Sequence, residues 1–266
     1  MSVLMRACTL VVKILILPLQ LSELLGLYRF YKRVFPVLTY YVSFSYNRKM
    51  EEKKRELFRE LLRFSPRDGP LRLLEVGCGS GANFQHYPSG CKITCTDPNP
   101  HFKDYLQKSM DKNDHLMYEN FVVAPGEDLR VVEDNSMDVV VCTLVLCSVK
   151  NTPRVIQEAK RVLRPGGAFF FLEHVEADPS TWTYFFQHVF KPLMFSFQPT
   201  RSTQDQPFKD GDHLIKHRYY VGDGCETTRA TWKHIEAAGF SDLQLRHFQA
   251  PLFFLVRPHI LGYAVK

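Results

Sequence analysis

The feature that most constrains the fold is a short apolar run that leads directly into a glycine-rich loop. Residues Leu71–Val76 have the length and side chains of a buried strand, and Gly77-Cys78-Gly79-Ser80-Gly81 follows at once. Three glycines at alternate positions let the backbone turn sharply and approach a ligand closely. A helix that begins at Ala82-Asn83-Phe84 would add free N–H groups. This unit predicts an α/β domain that binds a nucleotide-like cofactor.

The rest of the chain repeats the alternation that a doubly wound parallel sheet requires. Short apolar runs separated by longer amphipathic stretches are typical of strands joined by crossover helices. The further candidate strands are Lys92–Thr96, Met117–Val123, Met137–Leu144 and Ala168–Leu172. An amphipathic helix is predicted at residues 47–64, so we place the catalytic domain at residues 47–266 and a separate segment at residues 1–46.

The glycine spacing alone does not identify the cofactor. Gly77-x-Gly79-x-x-Ala82 also fits the dinucleotide fingerprint. Glu75, two residues before the first glycine, would repel a pyrophosphate and attract a cationic amino group. Asp97 ends the next strand, where a carboxylate accepts hydrogen bonds from two ribose hydroxyls. These two carboxylates favour a zwitterionic cofactor that carries a sulfonium.

Three later positions complete the predicted site. Gly126-Glu127-Asp128 follows the third strand, where a carboxylate accepts from an adenine amino group. Cys142 ends the fourth strand, at the point where a doubly wound sheet opens its ligand crevice, although a buried apolar thiol explains it equally well. His174 lies just past the fifth strand; it is either a structural histidine or a group that accepts a proton from the second substrate.

The chain resembles a known enzyme class through these motifs in their order. With Leu74–Gly81, Asp97, Gly126-Glu127-Asp128 and the turn Arg161–Gly167, it resembles the class I methyltransferases that use S-adenosylmethionine. More narrowly it looks like the membrane-associated thiol S-methyltransferases of the methyltransferase-like group. The segments that carry this narrower resemblance are Gly81–Phe84, Asp97–Pro100, Phe121–Asp128, Met137–Val149 and Arg257–Lys266.

The resemblance implies a fold, a reaction and a location. The fold would be a Rossmann-like, doubly wound, mostly parallel seven-stranded sheet, and the reaction the methylation of small alkyl thiols from S-adenosylmethionine. The location would be the endoplasmic reticulum membrane and lipid droplets. The sequence departs from the family pattern at Pro199–Tyr220, a polar stretch that is long enough to be an inserted loop or a mobile lid.

The predicted site contains cofactor-binding residues and a single candidate catalytic residue, His174. We expect no metal, because a methyl group activated by sulfonium charge mainly needs alignment and exclusion of water. A dedicated base is not required, since a thiol with a pKa of about 8.5 is already ionised to a few per cent at neutral pH. The predicted cofactor-binding residues are Glu75, Gly77, Cys78, Gly79, Gly81, Asp97, Pro98, Asn99, Glu127, Asp128 and Cys142.

The first 27 residues are strongly apolar but do not read as a simple membrane span. Their longest uncharged stretch near the middle, Ile14–Ser22, falls short of the roughly 20 residues that a span needs. The polar side chains share one arc of a helix, which predicts insertion in the plane of the interface. A shallow hairpin at Pro18, a tilted span and a cleaved signal peptide remain alternatives.

Residues 28–46 predict contact with lipid headgroups. They hold eight of the chain's 35 aromatic side chains, together with Arg29, Lys32 and Arg33. Rings and cations suit the headgroup level, and basic residues after an anchor place the domain on the cytoplasmic side. An aromatic lid packed on the globular domain is the alternative interpretation.

The charge distribution argues against nucleic acid as a partner. The chain has 34 Lys and Arg and 28 Asp and Glu, of which the first 63 residues hold 12 and 5. The excess of positive charge therefore belongs to the N-terminal end, and the remaining body is nearly neutral. A nucleic-acid groove needs clustered cations across the folded surface.

Seven cysteines, an odd number, are typical of a reducing compartment. Cys78, Cys91 and Cys95 lack the spacing of metal ligands, so we interpret them as small buried apolar side chains.

Two function classes stay open on the sequence alone. The first is a membrane-anchored enzyme that methylates hydrophobic thiols, or alternatively a lipid or quinone-like acceptor. The second is a membrane or lipid-droplet adaptor with a vestigial cofactor-binding fold. The intact cofactor motif favours the enzyme.

Overall fold

The computed structural model describes residues 2–15, 27–194 and 224–266. The alternative hairpin at Pro18 and the expected inserted loop Pro199–Tyr220 lie outside these residues.

The core of the protein is one seven-stranded sheet with the order β3-β2-β1-β4-β5-β7-β6. Strands β1 to β5 pair in parallel, and β7 runs antiparallel between β5 and β6. This confirms the expected doubly wound, mostly parallel sheet. The strands are β1 Arg72–Val76, β2 Lys92–Thr96, β3 Met117–Val122, β4 Met137–Thr143, β5 Leu163–His174, β6 Asp242–Gln249 and β7 Pro258–Val265.

The strand order places the ligand crevice at the carboxyl ends of β1 and β4. The chain leaves β1 toward β2 on one side, and it later returns to β4 on the other side of β1. Loops that follow the two central strands therefore diverge and leave a gap between them. The glycine-rich loop follows β1, so the sheet topology brings it to this gap.

Helices cover both faces of the sheet. Met50, Leu57 and Phe58 of α2 pack in the core on one face, and Val155, Ile156 and Ala159 of α4 pack on the other. The helices are α1 Ser2–Leu15, α2 Leu27–Arg59, α3 Lys103–Met110, α4 Thr152–Val162, α5 Trp182–Met194 and α6 Thr231–Glu236. A 3-10 helix, Glu60–Phe64, continues α2 toward β1.

The expected helix after the glycine loop is only a single 3-10 turn, Phe84–His86. Tyr87 adopts an extended conformation, with φ −80° and ψ 150°. It precedes Pro88, and the residue before a proline is driven away from helical geometry by the proline ring. Pro88 therefore ends the turn before an α-helix can form.

Helix α2 is continuous across the expected domain boundary between residues 46 and 47. Its aromatic half contacts the globular domain: the Phe35 ring lies 6.2 Å from the Phe102 ring, and the Tyr40 ring lies 5.3 Å from the Tyr105 ring. Pro36 lies inside the helix, where it has no N–H to donate to the preceding turn. None of the helices among the described residues is long and apolar enough to cross a membrane.

A buried carboxylate connects the amino ends of the central strands, at the end of the sheet opposite the crevice. Asp138 at the start of β4 is fully buried and accepts hydrogen bonds from the Arg72 backbone N–H at 2.8 Å and from Arg164 Nε at 2.6 Å. Arg164 Nη2 also donates to the carbonyl of Phe64. One acidic group therefore joins the amino ends of three central strands and the end of the helical segment.

Candidate active site

The glycine-rich loop is packed so tightly that side chains are excluded at two positions. Gly77 has φ +64°, and a Cβ there would lie 2.6 Å from Cγ2 of Val145. A Cβ on Gly81 would lie 2.6 Å from the ring of Phe84. The loop is closed by a hydrogen bond from the Gly81 N–H to the Cys78 carbonyl. Its backbone is therefore held between the β1 end and the loop after β4, as a cofactor cradle requires.

Asp97 lies at the end of β2 and is almost fully buried beside the glycine loop. Its Oδ2 accepts from the Gly79 N–H at 3.0 Å, and its Oδ1 accepts from the Asn99 N–H at 2.8 Å. A carboxylate has about four acceptor sites, so it can accept from backbone N–H groups and from ribose hydroxyls at the same time. Asn99 in turn accepts from the His101 N–H, and Pro98 is exposed.

A chain of buried polar groups connects helix α2 with the glycine loop. Lys54 Nζ donates to Oδ1 of Asn83 at 2.7 Å, and Asn83 Nδ2 donates to Oε1 of Glu75 at 2.7 Å. Lys54 Nζ also donates to Oδ1 of Asn47, whose Nδ2 donates to the carbonyl of Ala82. The other Glu75 oxygen, Oε2, is buried and has no hydrogen bond of ordinary geometry within the described residues, although the buried Tyr87 hydroxyl interacts with the same carboxyl group.

Two groups of this network have pKa values close to neutral pH. Burial raises the pKa of Glu75 to about 7 and lowers the pKa of Lys54 to about 8. Desolvation disfavours the charged form of each group, and their mutual attraction offsets only part of that cost. A cationic ligand group beside Oε2 of Glu75 would restore the carboxylate.

Glu127 and Asp128 both have partners within the chain. Glu127 Oε1 accepts from the backbone N–H groups of Lys150 and Asn151, just before α4. Asp128 forms a bidentate hydrogen bond with Arg130, which lowers the pKa of Asp128 to about 2. That one of these carboxylates accepts from the adenine amino group stays a prediction.

Cys142 and Cys78 lie in the core. Cys142 is fully buried with Val140 and Leu146 in the cluster that packs on α4. The position of Cys142 at the end of β4 suggested a site residue, but strand alternation turns its side chain toward α4, whereas Thr143 meets Asn83. Cys78 packs with the α2 side of the core.

A second group of side chains lies where β4 and β5 end. His174 is buried, and its Nε2 is 2.8 Å from Sγ of Cys225. Cys147 is buried beside them, and these three ligand atoms lie within 4.8 Å of one another. The thiol of Cys225 and the imidazole of His174 lower the pKa of Cys147 well below its ordinary value.

The loop that carries Cys147 is held by a buried glutamate. Glu173 Oε1 accepts from the N–H groups of Val145 and Leu146 at 2.9 and 3.1 Å. Leu144 has φ +57°, which is uncommon for a residue other than glycine. The glutamate therefore holds a sharp turn between β4 and the residues that line the crevice.

The motifs predicted part of this site. The structure brings Glu75, the glycine loop, Asp97 and Asn99 together. Sequence reasoning missed Lys54 and Asn83 as partners of Glu75, although a lysine on the apolar stripe of an amphipathic helix was a signal. It also missed Cys147 and Cys225 as neighbours of His174, and no local signal pairs residues so distant in sequence.

Comparisons with known proteins identify the family. A methyltransferase domain family matches residues 74–171. Human thiol S-methyltransferase TMT1B is 49% identical over the whole of both chains. Human thiol S-methyltransferase TMT1A is 52% identical over 88% of this chain and 87% of its own. The chain belongs to the thiol S-methyltransferase family.

Solved structures share the fold at low identity. A SAM-dependent methyltransferase from Thermotoga maritima, described as a possible histamine N-methyltransferase, superposes with a TM-score of 0.54 at 14% identity over 89% of this chain and 97% of that one. The [4+2]-cyclase SpnF superposes with a TM-score of 0.53 at 16% identity over 80% of both chains. These likenesses establish the methyltransferase-like fold.

The cofactor of this family member is S-adenosylmethionine, and the residues present fit it. Asp97 would hold the ribose hydroxyls, Oε2 of Glu75 would accept from the amino group, and the loop from Gly77 would lie against the amino-acid part. When bound, the cofactor supplies a methyl group activated by sulfonium charge. The chain's own contribution is to bind, to orient and to exclude water.

We expect Asp97→Ala to abolish cofactor binding and to leave the sheet folded. Two charge-assisted hydrogen bonds, each worth about 1.5–3 kcal/mol, would be lost. Calorimetric titration with S-adenosylhomocysteine measures the loss, and Asp104→Ala on the exposed face of α3 is the control. A variant that binds within threefold of wild type would contradict the role of Asp97.

We expect the affinity for S-adenosylhomocysteine to rise with pH through about 7. Glu75 has a raised pKa, so its carboxyl is neutral below that value and cannot attract the ligand's amino cation. Binding should weaken by up to about tenfold per pH unit on the acid side. Calorimetry at about pH 6 and about pH 8 measures it. Glu75→Gln should bind weakly at both values, and an equal response of wild type and variant would refute the assignment.

Proposed function

We propose that this protein methylates the sulfur of small hydrophobic thiols at the cytoplasmic face of the endoplasmic reticulum membrane and on lipid droplets. Thiol S-methylation is the reaction for which the human relatives TMT1A and TMT1B are named. The observation that carries the membrane part is the outward apolar face of α1.

Helix α1 turns its apolar side chains away from the protein. It packs against α5, and the partly buried positions Met5, Cys8, Thr9 and Val12 have the i, i+3, i+4, i+7 spacing of one helix face. The opposite face has large apolar side chains that are 55–79% exposed, namely Val3, Leu4, Leu10, Val11, Ile14 and Leu15. Apolar patches of this kind on a folded protein mark interaction sites, and a lipid interface would bury this one.

Other elements also expose large apolar side chains. Trp182 at the start of α5 and Phe253 before β7 are 70% and 64% exposed. Helix α2 exposes Tyr41 and Phe44 among other apolar side chains. Exposed cations at Arg6 and Lys13 suit anionic headgroups.

Helix α2 also reaches the part of the crevice that contains His174, where we place the methyl acceptor. The Tyr46 ring stacks on the His259 ring at 6.4 Å, and the His259 ring lies 6.2 Å from the His174 ring. An apolar acceptor dissolved in lipid would therefore meet the enzyme on the helix that borders the crevice. The nearly neutral body provides no basic field for an anionic peptide thiol.

We expect kcat/KM to rise along a series of alkyl thiols of increasing chain length and to be low for glutathione. Each buried CH₂ contributes about 0.8 kcal/mol. Competition assays with labelled S-adenosylmethionine measure the series. A flat series with equal turnover of glutathione would contradict the hydrophobic acceptor, and turnover of a lipid or quinone-like hydroxyl in place of any thiol would contradict the thiol.

We expect Leu10→Glu with Ile14→Glu to release the protein from vesicles. Two charges on the outward face of α1 would have to enter the interface at a cost of several kcal/mol. Flotation with phosphatidylcholine vesicles, with and without phosphatidylserine, measures binding. The control is Asn120→Glu with Gln244→Glu, two exposed positions on the outer strands with the same charge change. Equal flotation of both double variants would place the lipid contact elsewhere.

A further inference from the structure

Three side chains of metal-ligand type converge at the acceptor side of the crevice. Cys147 follows β4, His174 ends β5 and Cys225 precedes α6, and their ligand atoms all lie within 4.8 Å of one another. Within residues 2–15, 27–194 and 224–266, no other three His, Cys, Asp or Glu side chains form such a group. Three separate parts of the chain thus meet at one point.

We propose that Cys147, His174 and Cys225 bind a zinc ion and that the acceptor thiol occupies its fourth position as a thiolate. The first half of this proposal stands on the geometry of the cluster. The second half rests on the proposed thiol acceptor.

The donor set selects zinc over harder cations. Two cysteine sulfurs and one imidazole nitrogen suit zinc, whereas magnesium and calcium prefer oxygen ligands. The nearby carboxylate of Glu173 holds the backbone N–H groups of Val145 and Leu146 with Oε1, and its Oε2 is buried without a hydrogen-bond partner within the described residues. Glu173 is not one of the three side chains whose ligand atoms converge. Two cysteines and one histidine form a set with three protein ligands, and such a set leaves one position for a water or a substrate.

The histidine directs one of its ring nitrogens toward the two thiols. Nε2 of His174 points at the thiols, whereas Nδ1 is buried and has no hydrogen-bond partner within the described residues. The tautomer that carries its proton on Nδ1 leaves the Nε2 lone pair for the metal. In a tetrahedral site the ligand atoms are about 3.5 Å apart. The contact of 2.8 Å between Nε2 and the Cys225 sulfur would therefore widen by about 0.7 Å when zinc binds.

The loops that carry the two cysteines are pinned to each other. The Glu226 N–H donates to the carbonyl of Cys147 at 2.9 Å. Arg229 Nη1 donates to the carbonyls of Leu146 and Val149, each at 2.7 Å. These contacts hold both sulfurs near His174 independently of any metal, so the ligands are arranged in advance.

The cluster lies beside the cofactor loop. Val145, two residues before Cys147, contacts Gly77 of the glycine loop. Cys147 and His174 are buried, whereas Cys225 is only partly buried. We therefore place the fourth ligand on the Cys225 side of the cluster.

The group-transfer step balances without any oxidant or reductant. The acceptor thiol gives its proton to solvent when its sulfur coordinates zinc. That sulfur then forms a bond to the methyl carbon, while the bond from the carbon to the sulfonium sulfur breaks and its electron pair stays on the leaving sulfur. The product is a neutral thioether, a poorer zinc ligand than a thiolate, and it departs. His174 acts here as a metal ligand instead of a proton acceptor, contrary to our sequence-based expectation of no metal.

Metal analysis of the purified full-length protein tests the first half. We expect about one zinc per chain in wild type, and loss of most of it in Cys147→Ser, Cys225→Ser and His174→Gln. The control is Cys91→Ala. Cys91 is a buried cysteine just before β2, at the amino end of the sheet, and this variant should keep the zinc. Circular dichroism and S-adenosylhomocysteine binding verify that each variant is folded. Zinc-free wild type, undiminished zinc in the folded variants, or a Cys147–Cys225 disulfide in the reduced-buffer preparation would overturn the site.

Cobalt substitution tests the second half with a readout other than activity. Cobalt in the site should show thiolate charge-transfer absorption, and an alkyl thiol added without cofactor should increase it, whereas the matching alcohol should not. An unchanged cobalt spectrum would overturn coordination of the acceptor. Full thiol turnover by chelator-treated, zinc-free protein would overturn the zinc role and leave the proposed function standing. Zinc-loaded, cofactor-binding protein that turns over no thiol would instead overturn the proposed function.

Discussion

The buried hydrogen-bond chain from Lys54 through Asn83 to Glu75 is the interaction on which the organisation of this molecule depends. It places a cation of the N-terminal helix α2 within the polar environment of the cofactor cradle, and it is supported by the contact of Asn47 with the Ala82 carbonyl. A lysine and a glutamate that are both 2% exposed can persist only because each has polar partners. Helix α2 is therefore part of the active site as well as part of the N-terminal region, and a description that separates anchor from enzyme at residue 46 divides a single structural unit.

What could be predicted from the sequence was information that is local along the chain. The glycine loop and Asp97 each follow a strand, and strand ends in a parallel sheet meet at one edge, so their proximity could be inferred without knowing the packing. The partners of Glu75 and His174 could not be inferred in this way. Lys54 reaches Glu75 because of how α2 lies on the sheet, and Cys225 reaches His174 across 51 residues. Such pairs depend on tertiary packing, which a single sequence does not specify residue by residue.

Two sequence-based expectations depend on the conformation of single residues. The thiol of Cys142 ends the expected strand and is buried on the α4 side of the sheet, because successive side chains alternate across a strand, and its part in the cofactor site stays a prediction. The helix expected after the glycine loop is shortened because Pro88 restricts the residue before it. The strand and the turn both lie where the sequence predicts them. One residue determines which face the strand-end side chain occupies, and one residue determines where the turn ends.

Pro36 gives helix α2 a property that its continuous assignment does not suggest. A proline inside a helix removes one backbone hydrogen bond and permits a bend at that point. Beyond it, the helix is fixed to the catalytic body through Asn47 and Lys54, and the ring of Phe35, just before it, contacts Phe102. At the lipid surface that we propose, a bend at Pro36 would change the direction of the N-terminal part of the helix and leave the distances within the cofactor cradle the same.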